Sequence, residues 1–83
     1  MKLPKLKREN LIEVHWIDIT STTSWKTTEE AESYIAVGCQ SVGYFLNEDD
    51  DVIRLSATKN DEGERDVNVI VKGCIKSICK LKR

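Results

Sequence analysis

The stretch Ser41–Ala57, SVGYFLNEDDDVIRLSA, decides the reading of this chain. It holds an apolar run, an acidic turn and a second apolar run, the pattern of a β-hairpin. Residues Asn47 to Asp51 are too polar for burial and supply the turn formers Asn and Asp. Gly43 interrupts the first run, where a bulge or bend lets a small sheet coil. The remaining segments read as strands that close a sheet around this hairpin.

The hairpin predicts strands over about Gly38–Leu46 and Asp51–Thr58. Upstream, Leu11–Ile19 (LIEVHWIDI) alternates Ile12, Val14 and Trp16 with Glu13, His15 and Ile17, a strand with one buried face. Ile17 and Ile19 fall on its polar side and point to a second apolar contact, such as a partner subunit. Downstream, KNDEGERD (Lys59–Asp66) is a charged turn around Gly63, and Val67–Lys72 a fourth strand. Gly73 breaks it, Cys74–Ser77 forms a tight 3₁₀ turn, and Ile78–Leu81 a last short strand. Between the first two strands, Thr27-Thr28-Glu29-Glu30 fits a capping box. The short helix it opens, about Thr28–Ile35, reads as a lid over one end of a barrel. Residues 1–10 read as a flexible basic arm, and 11–83 as one small domain. The expected fold is mainly β: an SH3-like or Sm-like five-stranded barrel with one short helix between strands 1 and 2. An open α+β sheet is the alternative. Strand alternation predicts a core of Val14, Trp16, Val42, Leu46, Ile53, Leu55, Val69, Val71, Ile75 and Ile78.

With 83 residues, 40% apolar and 33% charged, the chain is sized for a single soluble domain with a modest core, which favours oligomerisation. No apolar run approaches the roughly 20 residues of a membrane helix. MKLPKLKREN lacks an apolar signal region, so the expected location is the cytoplasm, that of the host cell if the chain is phage-encoded. Three cysteines, Cys39, Cys74 and Cys79, without a CxxC pair suggest buried or half-buried thiols rather than a disulfide framework or a zinc site. Charge is unevenly placed. Residues 1–10 carry a net +3, residues 11–71 carry four basic and thirteen acidic residues, and residues 72–83 carry a net +5. An acidic body repels phosphodiester backbones and disfavours long nucleic acids.

No catalytic set is present. His15 is the only histidine, and a Cys–His pair needs a thiol brought to it with a third orienting group. The run Glu48–Asp51 lacks the spaced ligands and glycine of a calcium loop. Neither a cofactor nor a metal is expected. The stretch that invites a ligand is Thr20–Thr28, with seven hydroxyl residues in nine, plus Trp25 and Lys26. A helix start offers backbone N–H groups to anions, and an aromatic ring stacks on a base. The candidate site is Ser24, Trp25, Lys26, Thr27 and Thr28, with Lys80, Lys82 and Arg83 arriving from the same or a neighbouring subunit. In the opposing reading the hydroxyls satisfy the loop's own backbone and Trp25 plugs the barrel.

The succession Trp16-x-Asp18, a Ser/Thr loop, Trp25, an acidic helix start, Ser41-Val-Gly-Tyr44 and an acidic turn before Ile53-x-Leu55 resembles a family of small hypothetical proteins scattered through tailed-phage and prophage genomes. The similarity covers about residues 12–81; the longer basic start and the cysteines depart from it. The resemblance implies a genomic context and carries over no catalytic residue. The resulting expectation is a non-catalytic, homo-oligomeric phage accessory protein, with counter-defence among its roles. It would bind a host protein or sequester a small nucleotide-type ligand, and an Sm-like RNA or single-stranded DNA module is the alternative.

Overall fold

The computed structural model describes residues 4–19 and 24–82. Its elements are β1 (Leu11–Asp18), α1 (Thr28–Glu32), β2 (Val37–Glu48), β3 (Val52–Ser56), β4 (Asn68–Val71) and β5 (Ile75–Lys80), with a one-turn 3₁₀ helix, Lys72–Cys74, between the last two. The five strands form one antiparallel sheet in the order β4-β3-β2-β1-β5. The mainly β architecture with one short helix matches the expectation. The closed barrel does not appear: the ladder ends at β4 on one side and β5 on the other.

The sheet nevertheless coils on itself. Its inner face carries Ile12, Val14, Phe45, Ile53, Leu55, Ile70 and Ile75 in one buried cluster, to which Leu6, Trp16 and Ile78 add. That cluster joins residues from both edge strands, and α1 contributes no buried residue. A single sheet buries one face to this degree only by wrapping round it. The wrap is located at β2. Its register against β3 shifts between Phe45 and Asn47, a bulge of the kind that raises local twist. At Gly43, a Cβ would meet the Ser56 carbonyl oxygen at 3.0 Å and the Leu55 Cβ at 3.2 Å, so the missing side chain lets β3 approach. A second irregularity lies between His15 and Trp16, against β5.

Four expected core residues lie elsewhere. Val42, Val69 and Val71 are exposed on the outer face and Leu46 is half-buried; Phe45 and Ile70 occupy the inner face instead. The last strand starts at Ile75, and the 3₁₀ turn occupies Lys72–Cys74 rather than Cys74–Ser77.

Loops are held by carboxylates. Asp66 accepts from the Ser56 hydroxyl and the Ala57 and Thr58 amides, each at 2.9 Å, which tethers the charged Lys59–Asp66 turn to the end of β3. Within the N-terminal stretch, Leu6 packs on the core and Glu9 adopts φ 74°. The Glu9 amide donates to the Phe45 carbonyl, and the Phe45 amide to the Asn10 carbonyl, both at 2.8 Å. Arg65 donates to both carboxylate oxygens of Glu9.

Candidate functional site

The site expected from sequence lies on an arm. β5 meets β1 no further along than Trp16, and β3 meets β2 only from Tyr44 onward. The pairs Ile17↔Gly38 and Asp18↔Val37 therefore form a two-stranded ribbon with no third strand to cover it. Ile19 and the described residues 24–36 lie between the two strands of this ribbon in sequence. The radius of gyration is 15.8 Å, against about 12 Å for a compact chain of this length.

On that arm α1 forms through purely local signals. The Thr27 hydroxyl accepts from the Glu30 amide at 3.1 Å, and the Glu30 carboxylate accepts from the Thr27 amide at 3.2 Å. Ser33 ends the helix, its hydroxyl donating to the Glu30 carbonyl at 2.8 Å. The capping box is as expected, but the helix stops at Glu32 and buries nothing, so it is not a lid. Trp25 is 100% exposed, so it is not a plug either.

Ser24, Trp25, Lys26, Thr27 and Thr28 are all exposed on this arm. Lys80 and Lys82 are exposed too, but Lys80 pairs with Ile12, at the opposite end of β1 from the arm. Six residues of strand separate those ends, about 20 Å. One chain therefore does not bring the two halves of the expected anion site together. Arg83 and Thr20–Thr23 lie outside the described residues. Two amides at the helix start are already spent on the capping box, and Glu29 and Glu30 put carboxylates beside them, which opposes a bound anion.

Sequence reasoning missed the company that Trp25 keeps. Ile19 and Ile35 are exposed at 79% and 77%, and Tyr34 and Val37 are exposed as well. Five exposed apolar residues thus fall between positions 19 and 37. The signal was present as Ile19, Tyr34, Ile35 and Val37 flanking the loop, but Ile19 read as a contact with a partner subunit and the helix ending at Ile35 as a lid.

The other candidates are structural. In the acidic turn, the Asp49 carboxylate accepts from the Asp51 and Val52 amides at 2.8 and 3.0 Å and from Arg54 at 2.9 Å. The two amides, then Arg54, hold its pKa at about 2, below the ordinary 3.8. Glu48 accepts from Lys72 at 2.6 Å. These carboxylates are engaged within the chain, and among the described residues no acidic, Cys or His group has a metal-binding arrangement. His15 Nε2 lies 3.0 Å from Glu13 on the outer face, where the register also sets Cys79 opposite Glu13. All three thiols are free; Cys39 and Cys74 are half-buried, and Cys79 is exposed, contrary to expectation. Among the described residues no helix is long and apolar enough to cross a membrane.

In comparisons with known proteins, no family model, no curated protein and no solved structure matches the chain.

Proposed function

We propose that this chain is a non-catalytic binding protein that engages a partner protein through the projecting β1–β2 arm, with Trp25 as its anchor. The observation that carries this reading is Trp25, wholly exposed among exposed Ile19, Tyr34, Ile35 and Val37. Aromatic residues surrounded by apolar neighbours are the usual anchors of protein interfaces. The coiled sheet serves as the platform. Its strand order β4-β3-β2-β1-β5, with a one-turn 3₁₀ helix between the edge strands, supports an SH3-like or Sm-like small barrel left open at one seam. The resemblance to small tailed-phage and prophage proteins favours an accessory role, counter-defence included. The partner is then a host protein in the host cytoplasm. Sequestration of a nucleotide at Ser24–Thr28, and Sm-like binding of RNA or single-stranded DNA, rank below this.

The test uses the parent chain and a Trp25→Ala, Ile35→Ser double variant as baits in host extract, compared by quantitative mass spectrometry of proteins and metabolites. A protein retained by the parent and lost by an equally stable variant is the expected result. A variant that melts well below the parent would show that the arm serves the fold. A nucleotide held by the parent and lost by the variant would replace the protein reading with the nucleotide one.

A further inference from the structure

The arm is not the sole exposed apolar feature. Val67, Val69 and Val71 are also exposed; Val69 and Val71 lie in β4, an edge of the sheet, and Val67 immediately precedes it. The Lys72 amide donates to the Asp51 carbonyl at 2.8 Å, and β4 pairs with β3 as Val52↔Val71, Ile53↔Ile70 and Arg54↔Val69. In an antiparallel ladder, residues alternate between turning their N–H and C=O toward one neighbour and toward the other. Asn68, Ile70 and Lys72 therefore turn theirs toward β3, while Val69 and Val71 turn theirs to the open edge. The same two residues carry the exposed side chains, on the outer face, where Val52 stands beside Val71.

The opposite edge is built differently. The Leu81 amide donates to the Leu11 carbonyl at 2.8 Å, so Ile78 and Lys80 turn their backbone groups outward from β5. Lys76, Lys80 and Lys82 line that edge and its continuation, the usual guard against strand pairing. From Val67 to Val71, β4 carries no charge at all.

We infer that β4 is a homodimer edge: two copies pair β4 antiparallel about a two-fold axis, with Val69 of one opposite Val71 of the other. This inference stands apart from the arm. Antiparallel pairing sets outward-turned residues opposite each other with side chains on one face. β4 against a second β4 meets both conditions, and all four valines then form one continuous stripe on the outer face. β4 against β5 does not, because Ile78 and Lys80 pair with Val14 and Ile12 on the inner face; the joint would set an outer face against an inner one. β5 against β5 would bring lysines together. Charge agrees with the choice. The segment before β4 holds Asp61, Glu62, Glu64 and Asp66 against Lys59 and Arg65, and Lys76 and Lys72, the latter paired with Glu48 of its own chain, follow it, so an antiparallel partner sets the net acidic end of one strand beside the basic end of the other. A strand of four residues makes a small contact, and interfaces under about 1,200 Å² belong to the weak, reversible class. The dimer is therefore concentration-dependent.

Val71 provides a clean perturbation. Its φ is −69°, within the range proline imposes, and its N–H faces away from β3. Val71→Pro removes a donor from the edge and none from the β3–β4 ladder. Sedimentation velocity up to about 1 mM, the weak limit of specific association, should show the parent's mass rising from 9.5 kDa toward twice that value. Val71→Pro, and separately Val69→Lys, should stay monomeric while keeping the parent's far-UV spectrum. In the parent, the Val69 and Val71 amides should exchange with deuterium several-fold more slowly at high concentration than at low, and the Ile78 and Lys80 amides should not. A parent that remains monomeric throughout overturns the inference. So does a dimer whose Val69 and Val71 amides exchange equally fast at every concentration, whichever variants fold.

Discussion

Ile70→Ala is the sharpest probe of the coiled sheet, because Ile70 sits between two valines that differ from it by one methylene. Ile70 is 2% exposed, whereas Val69 and Val71 are 52% and 54% exposed. Truncation to alanine removes three buried carbons, about 2.4 kcal/mol at roughly 0.8 per methylene. The cavity adds to this, and large-to-small core changes span about 2–5 kcal/mol. β4 is an edge strand and can settle partway into the gap, so the expected cost is about 3 kcal/mol, in the lower half of that range. In a domain of this size each kcal/mol is worth about 4–8 °C, which places the fall in melting temperature at about 12–24 °C. Val69→Ala, already half in water, should cost under about 1 kcal/mol, as surface changes do. Urea melts of the parent and both variants, at micromolar concentration to keep β4 unpaired, measure the difference at constant m. Equal costs for the two substitutions, or a larger one for Val69, would refute the assignment of faces and with it the coiling of the sheet about Ile53, Leu55 and Ile70.

Gly43→Ala should cost about 1–3 kcal/mol by over-packing, because its Cβ would lie 3.0 Å from the Ser56 carbonyl oxygen; a denaturant melt equal to the parent's would show that β3 does not approach there. Trp25→Ala should leave the melting temperature unchanged, as nothing in the fold rests on that ring; a fall of several degrees in a thermal scan would count against the exposed arm. Thr27→Ala removes a cap worth on the order of 1 kcal/mol to the helix, yet it should fray α1 alone: helical amides exchange faster while the global melt holds. Stability should fall as pH drops below about 4. Asp49 titrates at about 2 when folded and at 3.8 ordinarily, so its contribution is present above 3.8 and is lost as pH falls toward 2. Asp66 is shifted the same way, chiefly by the Thr58 amide and then the Ser56 hydroxyl. Asp49→Asn should flatten part of that acid limb in urea melts run at a series of pH values; an unchanged slope would contradict the assignment.

β1 was legible because its polarity alternates cleanly, and the existence of the central hairpin because two apolar runs flank an acidic turn. Ile12 and Val14 have acids or histidine between them and Trp16, and only one phase buries them together. The buried face of β2 and of β4 was not legible, because both of their phases are apolar. In VNVIV, three valines outvote one isoleucine, yet pairing with Ile53 puts Ile70 inside. In SVGYFL, the phase of Val42 and Leu46 looked fuller than that of Gly43 and Phe45. The glycine made its phase look empty, and the close passage of β3 is what requires the glycine. The capping box was legible since it is made of four consecutive residues. Whether its helix docks is a tertiary matter that no local rule reports. The distance between Lys80 and the Ser/Thr loop is likewise topological: it follows from β5 pairing with the start of β1, which the composition of either segment does not encode.

The exposure of Trp25 is harder to explain by stability than by binding. A tryptophan buries roughly 200 Å² when it is covered, and at about 25 cal/mol per Å² that is near 5 kcal/mol. The folded chain realises none of it, in a domain whose size predicts a total stability of only about 4–12 kcal/mol. A chain selected for stability alone would dock the residue or replace it. The same ring set in a partner's pocket would recover much of that energy, less the cost of association and of ordering side chains. Ile19, Tyr34, Ile35 and Val37, exposed in the same segment, would enlarge the surface recovered. On the proposed reading, the two-stranded base of the arm would serve to present these residues away from the acidic loops of the sheet.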